Sequence, residues 1–198
     1  MRKYSAIIIG MLGTYLFMFT GCTSSNQPSS TALSLMPLAV GNQWVYRVTS
    51  LDTNGVVTGV ENDTIRVLKD TTFGGQTCYV LSSLNTDRSP GYFQSRSDGI
   101  WAPSGNSYAM QKWFSYPAKV GDTTMIYSHD PVVVRNVDTL VAGPGGAWRC
   151  CVYNLDNVFI EYYAPGVGLC REEFWYESLP SIRNYNYERR ELLSYSLK

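Results

Sequence analysis

Five cysteines, one histidine and a short run of glutamates are the residues of this chain whose types could do chemistry. Cys22 closes an apolar run and stands apart from the rest. The other four are Cys78, Cys150, Cys151 and Cys170, and in an oxidising compartment four thiols admit three pairings. Cys150 and Cys151 are neighbours in an extended segment, so their side chains point to opposite faces and do not bond to each other. Buried free thiols are the alternative. A metal site lacks support, because no Cys-x-x-Cys spacing occurs and only His129 could assist. His129 sits in the turn Tyr127-Ser128-His129-Asp130-Pro131. A general base needs a nucleophile and an orienting partner, and Asp130 next door faces away from it in an extended chain. Glu172, Glu173 and Glu177 lie along one strand, with Glu173 and Glu177 on the same side. Glycosidase chemistry requires two carboxylates across a cleft, so a solvated strand face is the reading here. No nucleophile elbow, zinc-binding His pair or phosphate-cradling glycine loop is present. The residues assemble no acid, base or nucleophile, so the chain reads as a non-enzyme that calls for no cofactor and no metal.

The elements that carry these residues begin with a leader. Met1-Arg2-Lys3 is a positive start, and residues 6–19 (AIIIGMLGTYLFMF) are apolar. A membrane-spanning helix needs about 20 apolar residues, so this run fits a secretory signal peptide. Phe19-Thr20-Gly21-Cys22 looks like the lipobox of bacterial lipoproteins, in which the cysteine is acylated and becomes the new N-terminus. Residues 1–21 are thus read as a signal peptide, and Cys22 as a lipid anchor in a bacterial membrane. Residues 22–36 form a flexible tether, Ser/Thr-rich and uncharged. No Asp follows Cys22, which favours the outer over the inner membrane.

The remainder, residues 37–198, is one domain. Of sixteen Lys and Arg, two lie in the leader, leaving fourteen against sixteen Asp and Glu. Such a near-neutral balance offers no electrostatic footprint for nucleic acid. Trp44, Tyr46 and Val48 alternate with Val45, Arg47 and Thr49, the period of a half-buried strand. Asn54-Gly55 follows as a hairpin turn. Further strands are expected at 56–60, 64–69, 77–84, 92–97, 100–102, 108–114, 124–128, 132–142, 147–155, 158–164, 169–177 and 189–197. Nothing sustains a helical period. The expected fold is all-β: a single antiparallel, strongly curved sheet of about ten to twelve strands, an open or half barrel that hides its edges by curling.

An internal echo divides this domain. Pro37-Leu38-Ala39-Val40-Gly41-Asn42 recurs as Pro117-Ala118-Lys119-Val120-Gly121-Asp122, and Gly74–Tyr79 recurs loosely as Gly145–Cys150. Two copies suit two related halves of one sheet. Cys78 and Cys150 hold echoing positions and are the more natural pair. Cys170, two strands from Cys150 in a meander, lies about 9–10 Å away, beyond disulfide reach unless the sheet folds over between them.

Taken in order, Val40-Gly41-Asn42-Gln43-Trp44-Val45-Tyr46, Asp98-Gly99-Ile100, Val120-Gly121-Asp122, Gly146…Cys150 and Tyr163-Ala164-Pro165-Gly166-Val167-Gly168-Leu169 resemble the TapB / DUF3108-like family of bacterial envelope lipoproteins. The resemblance spans most of residues 37–177. It implies an open β-barrel of the kind found in lipoprotein carriers and no defined activity. If the sheet curls into such a barrel, Trp44, Tyr46, Trp101, Trp113 and Trp148 are the candidates to line a cavity for a lipid or other hydrophobic ligand. The same residues in a solid core would leave a structural module that grips another envelope protein through edges or exposed loops.

Overall fold

Inward alternation of large apolar side chains builds the sheet. In the computed structural model, which describes residues 33–73, 75–85, 90–103, 109–126, 129–156, 158–175 and 187–198, the described chain is all-β. Cys22, the leader, Tyr108 and Glu177 lie outside the described residues. Twelve strands follow one another: β1 (Gln43–Leu51), β2 (Val57–Phe73), β3 (Gln76–Ser83), β4 (Gly91–Arg96), β5 (Gly99–Pro103), β6 (Met110–Ser115), β7 (Thr123–Ile126), β8 (Asp130–Gly143), β9 (Gly146–Leu155), β10 (Phe159–Ala164), β11 (Gly168–Trp175) and β12 (Tyr187–Ser196). Every pairing is antiparallel, and each strand bonds to its sequence neighbours except β6 and β7, with β1 also bonded to β12. The two remaining edges, β6 and β7, meet at a seam. There Thr124 Oγ1 donates to the Trp113 carbonyl at 2.7 Å, and the Gln111 side-chain amide donates to the Met125 carbonyl. The result is one nearly closed, barrel-like sheet of twelve strands, and it leaves almost no free edge to recruit another chain.

Trp44, Tyr46 and Val48 of β1 are buried inside this sheet, as their alternation requires. Buried indole and phenol groups need hydrogen-bond partners. Trp44 Nε1 donates to the Val167 carbonyl at 2.6 Å, and the Tyr46 hydroxyl donates to the Leu169 carbonyl at 3.0 Å. Across the lumen, Phe114 of β6 packs on Tyr153 of β9 and Tyr163 of β10, both at 5.0 Å between ring centres. This contact presses the walls together and fills much of the interior with aromatic rings.

Two expectations are corrected. Residues 56–60 and 64–69 are not separate strands but the single seventeen-residue β2. The polar stretch Glu61-Asn62-Asp63 hides the continuity, because Asp63 points inward and is paired there. Residues 35 and 36, expected to belong to the tether, are part of the folded domain instead. Leu35 and Met36 are buried in the core, and the Gly166 amide donates to the Ser34 carbonyl at 2.8 Å. Two apolar side chains with a core to enter outweigh the polar segment that precedes them.

The echo of Pro37–Asn42 in Pro117–Asp122 is a repeated turn. Gly41 and Gly121 have φ of 92° and 91°, in the region that favours glycine. Asn42 N–H donates to the Ala39 carbonyl as Asp122 N–H does to that of Lys119. Gly41 N–H bonds the Val67 carbonyl as Gly121 N–H bonds that of Val134, and the Val67 and Val134 amides return bonds to Asn42 and Asp122. The turns therefore launch β1 and β7 in the same way, six strands apart.

Candidate functional site

Sheet register places one row of polar side chains inside the barrel. Opposed residues of antiparallel strands share a face, and Arg190 of β12 opposes Val48 on one side and Glu172 of β11 on the other. Glu172 opposes Glu161 of β10, and Glu161 opposes Tyr153 of β9. On the other flank Asp63 of β2 opposes Tyr46, and Ser83 of β3 opposes Ile65. All these positions are in phase with the inward-facing Tyr46 and Val48.

Arg190 holds the row together. Its Nη1 lies 3.0 Å from Glu172 Oε2 and its Nη2 lies 3.5 Å from Asp63 Oδ2, while the guanidinium sits 5.7 Å from the Tyr46 ring centre. Ser83 Oγ donates to Asp63 Oδ1 at 2.5 Å. Asp63 is 1% exposed and Arg190 7%. Burial acts against the Arg190 charge, and Glu172 and Asp63 more than offset it, so its pKa is raised. The row thus holds three carboxyl groups and one cation. Glu161 responds to that imbalance: burial first, then the neighbouring Glu172 charge, push its carboxyl up to about 8, against opposing effects from Tyr163 and Arg190. Glu161 Oε2 and Arg190 Nε are shielded from solvent without a hydrogen-bond partner among the described residues.

Beside the row lies a cavity of about 250 Å³. Arg190, Glu172, Glu161, Ser82 and Ser83 form its polar wall, and Met36, Leu81, Phe93, Ile100 and Leu169 form its apolar one. Two walls of opposite character suit a molecule with an apolar body and a polar head. Glu161 and Glu172 stand on adjacent strands of one wall rather than across a cleft. Among the described residues no group of three or more His, Cys, Asp or Glu side chains is placed to hold a metal ion.

Of the five aromatics expected to line a cavity, Tyr46 does so. Trp44 is sealed in the core. Trp113 packs edge-on against Phe93 at 6.2 Å, at the core margin. Trp148 is half-buried beside Gly146. Trp101 lies under the Arg96 guanidinium at 3.9 Å and donates to Asp98 Oδ1 at 2.9 Å. The residues that sequence reasoning missed are Asp63, Glu161 and Arg190, and Glu172, read as part of a solvated face, joins them inside. A signal was available: each is two residues from an inward apolar position, Ile65, Tyr163, Cys170 or Leu192, so alternation put a charge where a core residue belonged.

The acidic run also divides differently from the expected solvated face. Glu172 turns inward, whereas Glu173 joins an outer ladder with Arg171 at 4.0 Å and Arg189 at 3.8 Å. Arg171 and Arg47 flank Glu191 in the same ladder, at 3.1 and 3.0 Å. The His129 side chain is 75% exposed and lies 3.5 Å from Asp130, which does face it.

Cys78, Cys150, Cys151 and Cys170 are all buried free thiols. Cys78 and Cys150, the expected pair, stand on β3 and β9, six strands apart in sheet order, because the echoing halves lie on opposite sides of the barrel. Cys151 lies on the same side of β9 as Tyr153, where burial raises its thiol. Cys170, expected about 9–10 Å from Cys150, has its side chain within hydrogen-bonding reach of it. The sheet does fold over at this point. β10 stops at Ala164, and the long β8–β9 hairpin crosses the gap to β12, where the Gly145 amide donates to the Leu192 carbonyl at 3.1 Å.

Fold and site together define a nearly closed antiparallel barrel with a small, partly charged lumen. No family model matches the chain, and no curated protein matches it. Solved structures that resemble it in chain course include the following two. One is a protein from Bacteroides fragilis described as exported and as having a YmcC-like fold, with a TM-score of 0.47 and 13% identity, covering 84% of this chain and 100% of the other. The second is a protein from Parabacteroides distasonis described as a lipoprotein, with a TM-score of 0.39 and 13% identity, covering 83% and 99%.

Proposed function

We propose that this chain is a non-catalytic lipoprotein of the bacterial envelope, held by acylated Cys22, whose barrel lumen receives a small ligand with an apolar body and a polar head. The observation that carries the reading is the cavity with the Arg190–Glu172–Glu161 row on one wall and Met36, Leu81, Phe93, Ile100 and Leu169 on the other. Its volume of about 250 Å³ falls below the ~300–1,000 Å³ usual for small-molecule sites, which favours a compact ligand over a full-length acyl chain. A second reading, a partner-binding module, draws on the β1–β2 hairpin. Val56, Val57 and Val60 are exposed there, an apolar tip of the kind that meets another protein.

Two experiments test the proposal. Native mass spectrometry of the exported, gently purified chain should show a discrete added mass that disappears on denaturation. Ile65→Trp, which places an indole in the lumen, should abolish that mass. A bare mass from the unsubstituted chain removes the ligand reading and leaves the partner module. For the anchor, Cys22→Ser should yield an unprocessed precursor or a soluble chain. A processed Cys22→Ser chain still fractionating with the outer membrane would refute acyl anchoring.

A further inference from the structure

We infer that Cys150 and Cys170 form a disulfide in the exported protein, one that staples the β8–β9 hairpin to the start of β11. Three features of the fold lead there. The two side chains are in hydrogen-bond contact, and both are sealed from solvent, at 0% and 1% exposure. The hairpin carrying Cys150 is already held across the gap beyond β10 by two bonds to neighbouring strands: Gly145 N–H to the Leu192 carbonyl at 3.1 Å and Arg171 Nη2 to the Ala142 carbonyl at 2.8 Å. Closing the bond therefore asks little further movement of either strand. The remaining thiols are placed elsewhere, Cys78 on β3 and Cys151 on the lumen side of β9 beside Tyr153, so the pairing is selective.

The bond forms by exchange with a disulfide oxidant of the envelope, itself a protein or small-molecule disulfide. One thiol of the pair, as thiolate, attacks the oxidant, and one oxidant sulfur leaves as thiolate. The other thiol then loses its proton and attacks the Sγ of the first, expelling the second oxidant thiolate. Two electrons and two protons pass to the oxidant, which ends as two thiols. Because neither sulfur is accessible in the finished fold, the exchange takes place during folding, before the hairpin docks. The docked hairpin then shields the bond from reductant.

Non-reducing tryptic mapping of the full chain, exported in an oxidising envelope and alkylated under denaturing conditions, tests the pairing. Trypsin cuts after Arg149 and Arg171, so residues 150–171 leave as one peptide holding Cys150, Cys151 and Cys170. The inference expects this peptide about two daltons light with one alkylated cysteine, and Cys78 alkylated. Cys151→Ser should keep the deficit, and Cys150→Ser should abolish it. Three alkylated cysteines in the unsubstituted chain, a deficit that survives Cys150→Ser, or a cross-link to Cys78 would each overturn the assignment. The unsubstituted chain decides the first and third outcomes even if a variant fails to fold.

Discussion

Arg190→Met is expected to cost about 3–5 kcal/mol of folding stability, the range for removing one partner of a buried ion pair. Among the described residues Arg190 is the only cation in a row that holds Asp63, Glu172 and Glu161, and it lies 3.0 Å from Glu172 and 3.5 Å from Asp63. Removing it leaves Asp63, 1% exposed, with the Ser83 hydroxyl as its hydrogen-bond donor among the described residues, too little to replace a solvation shell. The methionine side chain fills similar space, so the loss reports charge rather than cavity. Arg190→Lys should recover only part of it, because a single ammonium cannot span two carboxylates on different strands as a forked guanidinium does. Urea unfolding followed by tryptophan fluorescence measures both variants. A loss below about 1 kcal/mol for Arg190→Met would mean that the row is hydrated and the lumen open to bulk water.

The second large effect is a pH dependence carried by Glu161. Its carboxyl is raised from an ordinary 4.5 to about 8 in the folded chain. Below 4.5 the group is protonated whether the chain is folded or not, and its ionisation does not affect stability. Between 4.5 and 8 the unfolded chain releases the proton while the folded chain keeps it. Stability therefore falls as pH rises through this window and levels above it. A window of that width corresponds to on the order of 5 kcal/mol. Unfolding free energies at pH 5 and pH 8.5 should differ in that direction. Glu161→Gln keeps the shape, removes the titration, and should flatten the slope by raising stability at pH 8.5. An unchanged slope in Glu161→Gln would assign the dependence to another group. The same titration bears on the lumen, because a ligand with a cationic head would favour ionised Glu161 and draw its proton off on binding.

Alternation, turn chemistry and composition are local properties, and the strands could be read from them. Trp44, Tyr46 and Val48 face inward because a strand has a period of two, whatever lies opposite. The echo of Val40-Gly41-Asn42 in Val120-Gly121-Asp122 foretold matching turns because each needs a glycine at positive φ. By contrast, the lumen row was hidden among ordinary strand charges. Glu161, Glu172 and Arg190 lie on three strands, and Asp63 comes from a fourth more than a hundred residues upstream of Arg190. Whether a carboxylate meets water or a guanidinium depends on register between those strands, which no single segment carries.

The cysteines make the same division. Burial of the four thiols was the alternative that strand positions left open beside pairing. Their neighbours followed from where β10 stops at Ala164 and the β8–β9 hairpin crosses to Leu192, a fold-over that brings Cys150 to Cys170 and leaves Cys78 six strands away. By itself, then, the sequence determined an all-β chain of about ten to twelve strands in two related halves, because side-chain period and turn geometry act over a few residues. Only the tertiary structure decided which charges share the lumen and which thiols touch, because both depend on how far a twisted sheet curls before its edges meet.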